Sequence, residues 1–174
     1  MKKTVLWLVV AFSVLCAAAP VMAAPAAKIP FTAEAGFGFG NVSPGTQWIT
    51  ADGIYHFKGA VSTGNVSIHS ALGDMVGTMR MVHDLALDLN TGLGDCHGKF
   101  VITVFGVVGT FEGSEHGTHT VTDRHYISGG LVAHGTGVFD GLKIMASYTG
   151  AIVTIDTHQV TLADIEGILL APSG

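Results

Sequence analysis

Hydrophobic and polar residues alternate with a period of two through most of the sequence after residue 30. This alternation is typical of β-strands that bury one face, and the breaks between the alternating runs carry Gly, Asn, Asp or Ser, which favour turns. No run has a sustained helical period, so the pattern allows at most one short helical turn, at 161–165. The sequence therefore predicts an all-β protein, with strands over 31–39, 47–51, 54–63, 66–69, 74–88, 99–108, 109–112, 118–122, 126–140, 143–149 and 151–169.

The residues between these runs are typical of hairpin connections. Asp52-Gly53, Asn90-Thr91-Gly92 and Gly129-Gly130 lie between apolar runs and contain the residue types that tight turns prefer. The two longest runs are long enough to need bends, and Gly77 is a plausible corner. Nothing in the sequence marks a boundary between domains.

A glycine–phenylalanine motif occurs twice, as GTGVFDGLK at 135–143 and in reduced form as GTFEG at 109–113. On a strand, the alternate glycines and the phenylalanine of the longer motif share one face, which allows close backbone approach and lets a sheet curl. Curvature favours a closed antiparallel β-barrel, because closure removes exposed edge strands. A β-sandwich is the alternative architecture.

The sequence DLNTGLGDCHGKFVI at 88–102, followed by the motifs at 109–113 and 135–141, resembles the allene oxide cyclase-like barrels, a superfamily that includes the plant dirigent proteins. The resemblance covers about residues 53–149. It implies an eight-stranded antiparallel barrel with an apolar internal cavity, often assembled into an oligomer. In the plant members, buried acidic and aromatic groups steer cyclisation or radical coupling. Those groups have no matching positions here, so the resemblance carries over no activity.

The first 23 residues have the features of a secretory signal peptide. Lys2 and Lys3 precede the apolar run 5–19, and Val21-Met22-Ala23 supplies a small-residue cleavage site. The apolar run is too short to predict a membrane anchor. We expect cleavage after Ala23, a periplasmic or secreted product, and a single barrel domain over 24–174.

Charged residues make up 12% of the chain, about half the usual share. The formal net charge is −5, and loss of Lys2 and Lys3 with the signal peptide makes it more negative. Such a surface repels nucleic acid and anionic lipid, so we expect neither a nucleic-acid partner nor membrane insertion.

The low charge also implies that more apolar surface must be hidden than one barrel core can take. The apolar residues Val101, Val107, Ile127 and Ile152 cannot all fit inside one barrel. An internal cavity, a subunit interface or a lipid-facing belt would each hide the remainder. We therefore predict a homo-oligomer, either a dimer or a trimer.

Cleavage after Ala23 would leave Cys96 as the single cysteine, which excludes an intrachain disulfide. Cys96 is then either a buried small hydrophobe, which we favour, or an exposed thiol able to pair between chains. No serine elbow, paired-cysteine metal motif, dinucleotide fingerprint or phosphate-binding loop is present, so no cofactor is predicted.

His83 is the first candidate for chemistry. It shares a strand face with Met81, Leu85 and Leu87, and that face is expected to be buried. A single titratable group inside an apolar cavity can act as an acid, a base or a ligand anchor. The simpler interpretation, which we favour, is a histidine at the barrel rim that donates to a backbone carbonyl.

The histidine-rich segment 112–125 is a weaker candidate, for metal binding. His116 and His119 are three residues apart and lie on opposite faces of a strand, so joint ligation with His125 would need a turn at Gly117. The spacing matches no zinc signature, and the segment fits a solvated hairpin loop equally well. No metal site is therefore predicted.

Aromatic residues form the third candidate set. Tyr55 and Phe57 share one strand face, and together with Tyr126 and Tyr148 they can line a cavity whose phenolic hydroxyls orient a ligand. The alternative is that they fill the barrel completely, as side chains often do in small eight-stranded barrels.

These observations predict an exported small barrel that binds a small apolar molecule. One alternative is a cyclase or isomerase that acts on a flexible apolar substrate without metal or organic cofactor, with His83 or Tyr55 moving a proton. A second alternative is an outer-membrane barrel. Two features of this chain count against an outer-membrane barrel. The aromatic content of the chain is low, and its C-terminal sequence LLAPSG at 169–174 lacks the terminal aromatic residue that such barrels usually carry.

Overall fold

A computed structural model describes residues 26–156 and 158–172, so the predicted signal peptide lies outside the described residues. Within them the chain forms nine β-strands and one 3₁₀ turn. In chain order these are β1 (Ala27–Ser43), β2 (Thr46–Ile49), β3 (Ile54–Ser70), β4 (Gly73–Asp88), β5 (Leu93–Val104), β6 (Thr110–Val121), β7 (His125–Gly135), the 3₁₀ turn Gly137–Phe139, β8 (Lys143–Ile155) and β9 (His158–Ala171).

Eight of the strands close into an antiparallel barrel. The hydrogen-bonded order is β1-β9-β8-β7-β6-β5-β4-β3, and β3 pairs back with β1 to complete the ring. β2 lies outside the ring and pairs only with Tyr55–Lys58 of β3. The predicted barrel is confirmed, and the β-sandwich is excluded. No helix in the described part of the chain is long and apolar enough to cross a membrane.

Alternation along the strands sets the core, because residues two apart point to the same side of the sheet. The inward residues at one end of the barrel are large and apolar and leave almost no space. Phe111, Ile144, Leu169 and Val66 are nearly inaccessible there. Each such side chain contributes roughly 1.5–3 kcal/mol by leaving water.

The two ends of the barrel differ. We call the end with the β5–β6 and β7–β8 connections the lower end, and the end with the β4–β5, β6–β7 and β8–β9 turns the upper end. The filled apolar core occupies the lower half, and the candidate site described below occupies the upper half.

The glycine–phenylalanine motif at 135–141 is a connection and not a strand face, which corrects the expectation. β7 ends at Gly135, and the chain turns through Gly137–Phe139 with positive φ at Gly137 (60°) and Gly141 (83°). Glycine tolerates this backbone without strain. The turn places the Phe139 ring on Phe111, with 4.6 Å between ring centroids, so the motif closes the lower end.

The predicted loop over 113–117 is also wrong, because β6 continues through it as a strand. Gly129-Gly130 likewise lies inside β7 and not in a turn, with Gly129 paired to Gly117. Tyr148 crosses above Gly117 and Gly129, as described below, and the crossing leaves no room for a side chain at either of these two positions.

The predicted run 151–169 is two strands joined by a hairpin. Asp156, at φ 55°, is the one non-glycine residue with positive φ in the described part of the chain, and it reverses the direction between β8 and β9. The possible helical turn at 161–165 is extended strand. No glycine marks this reversal, which explains why the pattern did not indicate it.

The predicted strands 54–63 and 66–69 form one continuous strand, β3. Its bend is a register shift between Phe57 and Ala60, and no such shift occurs at Gly77, the expected corner. A second shift in β1 follows Gly38. These bulges allow β3 to pair first with β2 and then with β1.

Candidate functional site

A small cavity lies inside the upper half of the barrel. About 40 Å³ of it is open to the centre of a water molecule, which is space for about three waters, at roughly 10–15 Å³ each. Ten apolar residues line it, among them Phe37, Met79 and Leu131. Six polar or thiol side chains share the lining, namely His83, Cys96, Glu115, His119, Tyr148 and Thr161.

His83 projects inward from β4 and is held by neighbours on β1 and β3. The rings of Phe39 and Phe57 lie 5.3 and 5.2 Å from the imidazole. Its Nε2 lies 3.2 Å from Ser62 Oγ, which also accepts a hydrogen bond from the Gly40 N–H at 2.9 Å. We expected His83 to donate a hydrogen bond to a backbone carbonyl, but its partner is the side chain of Ser62.

This hydrogen-bond arrangement favours the Nδ1–H tautomer of His83. Ser62 is fully buried and accepts from Gly40, so its own proton is satisfied by donation to His83 Nε2. The imidazole proton then resides on Nδ1, which faces Glu115. Burial lowers the pKa of His83 to about 4, against the opposing effect of Asp84. His83 is therefore a neutral imidazole at neutral pH.

Glu115 on β6 is the acidic partner of His83. Its Oε2 accepts a hydrogen bond from the Tyr148 hydroxyl at 3.1 Å. Its Oε1 has no hydrogen-bond partner and lies 3.9 Å from His83 Nδ1. Burial raises the pKa of Glu115, and the hydrogen bond from Tyr148 opposes that rise. The pair thus combines a carboxyl that holds its proton more tightly with an imidazole that resists protonation.

Three inward-facing glycines make room for this cluster. Gly98 on β5 pairs with both His83 and Glu115, and a Cβ there would lie 2.9 Å from His83 Cβ and 3.0 Å from Glu115 Oε1. Gly117 and Gly129 occupy the same ladder as Tyr148, and a Cβ at either would collide with the Tyr148 hydroxyl. The glycines therefore form a trench across β5, β6 and β7.

Tyr148 lies along this trench from β8. Its hydroxyl reaches Glu115 and comes within 3.9 Å of Cys96 Sγ. Burial and the neighbouring Glu115 raise the pKa of Tyr148 and raise that of Cys96 to about 11. Cys96 is buried, as favoured from the sequence, and its thiol stays protonated, which makes it a poor nucleophile.

A histidine pair lies nearer the upper end. His119 Nδ1 and His125 Nε2 are 2.7 Å apart, a hydrogen bond in which one ring donates to the other. Burial, His125 and His83 lower the pKa of His119 to about 4, and burial lowers that of His125. His116 is exposed on the opposite face of β6. Within the described ranges, no group of three His, Cys, Asp or Glu residues is arranged to hold a metal ion.

The cavity brings together two of the five residues proposed from the sequence as ligand contacts, His83 and Tyr148. Phe57 is buried behind His83 and does not line the cavity. Tyr55 is half-buried near the upper end, where its hydroxyl donates to Gln47 Oε1 at 3.0 Å. Tyr126 is 45% exposed on the barrel exterior.

Sequence reasoning missed Glu115 and Thr161 as parts of the site. The available signal was the alternation of Phe111, Gly113, Glu115, Gly117 and His119, which all face the interior of β6. It was overlooked because the glycines and charges suggested a solvated loop. Thr161 gave no signal, since threonine is common on either face of a strand.

No family model, curated protein or solved structure in the comparisons matches this chain. The fold and the site define a closed antiparallel barrel with a small, largely apolar cavity and a buried polar cluster.

Proposed function

We propose that this protein binds a small, mostly apolar molecule in the upper half of its barrel. The observation that carries this proposal is the cavity, where six polar or thiol side chains converge inside an otherwise apolar interior. A concave apolar space with a few convergent polar groups is the usual form of a small-molecule site. The core of the lower half shows that the same fold can be packed without such groups.

The size of the cavity limits the ligand. Drug-sized ligands occupy pockets of roughly 300–1,000 Å³, whereas this cavity has space for about three waters. The present geometry therefore suits a molecule of only a few non-hydrogen atoms. A larger one would require movement of Met79 and Met81, whose unbranched side chains adapt readily.

The distribution of apolar residues supports a water-soluble binding barrel over an outer-membrane barrel. Outer-membrane barrels carry their apolar band outside and a polar interior. Here the interior is the apolar face. Together with the features of the first 23 residues, this favours a protein that acts after export, in the periplasm or outside the cell.

A ligand screen tests the proposal. We expect the melting temperature of the mature protein to rise with small alcohols, ketones or phenols, because a ligand that binds only the folded state stabilises it. Ala35→Leu should fill the cavity and abolish this rise, whereas Ala151→Leu on the outer face should not. If no compound raises the melting temperature, or if Ala35→Leu leaves the rise unchanged, ligand binding in the cavity is refuted.

The approach of Glu115 to His83 favours a second candidate function, an isomerase that moves a proton. In such a reaction the Glu115 carboxylate removes a proton from a C–H beside a carbonyl, and a neutral donor such as the His83 N–H stabilises the carbonyl oxygen. Return of the proton from Glu115 to another carbon completes the isomerisation. The groups required are 3.9 Å apart and face the cavity.

Hydrogen exchange separates the two functions. In D₂O, an isomerase should exchange the C–H protons beside the carbonyl of a bound ketone, which NMR detects directly. Glu115→Gln should reduce this exchange by about 100-fold or more while the ligand still raises the melting temperature. A bound ketone that exchanges at the solvent rate would leave binding as the function.

A further inference from the structure

Two buried side-chain atoms in the described part of the chain lack a hydrogen-bond partner, and both belong to residues that line the cavity. They are Glu115 Oε1 and Thr161 Oγ1. Folded proteins leave few buried polar atoms unpaired, because each such atom loses its bonds to water without replacement. Two of them in one cavity indicate that something in the cavity completes their hydrogen bonds.

Nothing in the fold explains the hydroxyl of Thr161. The residue is 2% exposed on β9, and its cross-strand partners are the apolar Phe37 and Ile152. Valine has nearly the same shape and would pack there without an unpaired oxygen. We therefore expect valine at this position to leave the stability of the fold equal or higher.

The charges around the cavity restrict the ligand further. None of the described residues that line it is lysine or arginine, and His83 and His119 are neutral near pH 7. An anionic ligand would lie beside Glu115 without a counter-charge. An ammonium ion would need to place three donors in a mostly apolar space. A neutral ligand avoids both costs.

We infer that the cavity binds a neutral molecule with two oxygen groups, one bonded to Glu115 and the other to Thr161. This inference rests on the proposed function and specifies its ligand class. The available space corresponds to about three waters, or roughly 90 Å³ of liquid. A four-carbon hydroxyketone or diol has six non-hydrogen atoms, about twice as many as three waters, so its entry needs the movement of Met79 and Met81 described above.

Calorimetry or ligand-observed NMR with four probes tests the inference on the mature protein. The probes are 3-hydroxybutan-2-one, butan-2-one, butyrate and butylammonium, which share a four-carbon skeleton. We expect the hydroxyketone to bind about tenfold more tightly than butan-2-one, since one hydrogen bond separates them. Both ions should bind at least tenfold more weakly than the hydroxyketone.

Substitutions at Thr161 show whether its hydroxyl makes the second contact. The ketone oxygen common to both ketones accepts from the Thr161 hydroxyl, and the ligand hydroxyl donates to Glu115. Thr161→Val should therefore weaken the binding of both ketones about tenfold, while the melting temperature stays equal or rises. Thr161→Ser, the matched control, keeps the hydroxyl and should retain affinity within about threefold. The melting temperatures also show that each variant is folded.

Equal affinities for the two ketones would overturn the inference, as would an unchanged hydroxyketone affinity in Thr161→Val or tighter binding of either ion. Each of these outcomes leaves the proposed function standing. If none of the four probes binds, the inference fails, and the broader ligand screen then decides the proposed function separately.

Discussion

Individual buried side chains give this barrel its chemical character. His83, Glu115 and Tyr148 come from three different strands and meet in an apolar interior, where each keeps a neutral form over a wider pH range than it would in water. Their pKa shifts arise mainly from burial. The cluster therefore links the pH of the solution to the stability of the fold.

We predict that acid destabilises the protein between about pH 6.5 and pH 4. The pKa values of His83 and His119 fall to about 4 in the folded state, so the unfolded chain takes up protons first as the pH drops. His83→Asn should remove about 3 kcal/mol of this loss, since one pKa unit corresponds to 1.36 kcal/mol. Urea unfolding of the parent protein and of His83→Asn at several pH values measures this loss in the free energy of unfolding.

Glu115 acts in the opposite direction and provides the control. Its pKa is raised in the folded state, so the folded protein gains a proton before the unfolded chain does, and this uptake favours folding as the pH falls. Glu115→Gln should remove this favourable proton uptake, so the free energy of unfolding should fall more steeply as the pH drops. A stability that does not change between pH 6.5 and pH 4 in the parent protein would contradict both expectations.

The glycine trench leads to a second prediction, about single side chains. Gly117→Ala should destabilise the protein by about 3 kcal/mol, because the added methyl collides with the Tyr148 hydroxyl and lies 2.5 Å from the Ser128 carbonyl oxygen. Gly130→Ala is the matched control on the neighbouring strand. Its methyl would meet the Ala146 oxygen at 3.7 Å, so its effect should stay within about 0.5 kcal/mol. Equal effects in chemical denaturation would show that the trench is not tightly packed.

Among the secondary-structure elements, the β7–β8 connection has the clearest separate role. Its 3₁₀ turn places Phe139 against Phe111 and closes the lower end of the barrel. The lower half therefore resembles a filled base beneath the cavity.

Phe139→Ala should lower the free energy of unfolding by about 2 kcal/mol. This is less than the roughly 3–5 kcal/mol typical of a fully buried phenylalanine, because Phe139 is half-buried. The adjacent Val138 is 64% exposed, so Val138→Ala should change the value by less than about 0.5 kcal/mol. Chemical denaturation of the two variants measures both values, and a difference below 0.5 kcal/mol would refute the closing role of Phe139.

The whole molecule still exposes apolar surface. Of the four apolar residues named from the sequence, Ile127 and Ile152 are buried inside the barrel and do not need an interface. Val107, by contrast, is exposed. A broad groove of about 590 Å³ on the outer face of β6–β9 contains Val132 and Met145, which are 43% and 44% exposed.

We predict that the protein without residues 1–23 forms a dimer or trimer through this outer face. Apolar contact between sheets would make the association insensitive to salt. Light scattering at micromolar concentration should give a mass two or three times that of one chain. Val132→Lys combined with Met145→Lys should shift it to the monomer, while Leu72→Lys at the lower end should not. A monomeric mass across dilution and salt would contradict the prediction.

The sequence alone determined the all-β class and the buried face of several strands. Period-two alternation placed His83 on the inward face of β4 with Leu85 and Leu87, and this placement is confirmed. Alternation is a local property, because neighbouring side chains on a strand point to opposite sides whatever the strand pairs with. The closed barrel expected from the sequence also formed, although the longer glycine–phenylalanine motif behind that expectation lies in a connection and does not curve a strand.

Only the tertiary structure decided how the strands join and what meets inside. The continuity of β6 through Gly117 depends on its pairing with Cys96 of β5 and Gly129 of β7. Glu115 contacts Tyr148 across 33 positions, and Cys96 contacts Tyr148 across 52. Local composition carries no information about such contacts, so the glycines of the trench looked like turn residues. Glycine is needed at these positions because a tyrosine from another strand occupies the space above them. That tyrosine lies there only once the barrel has closed.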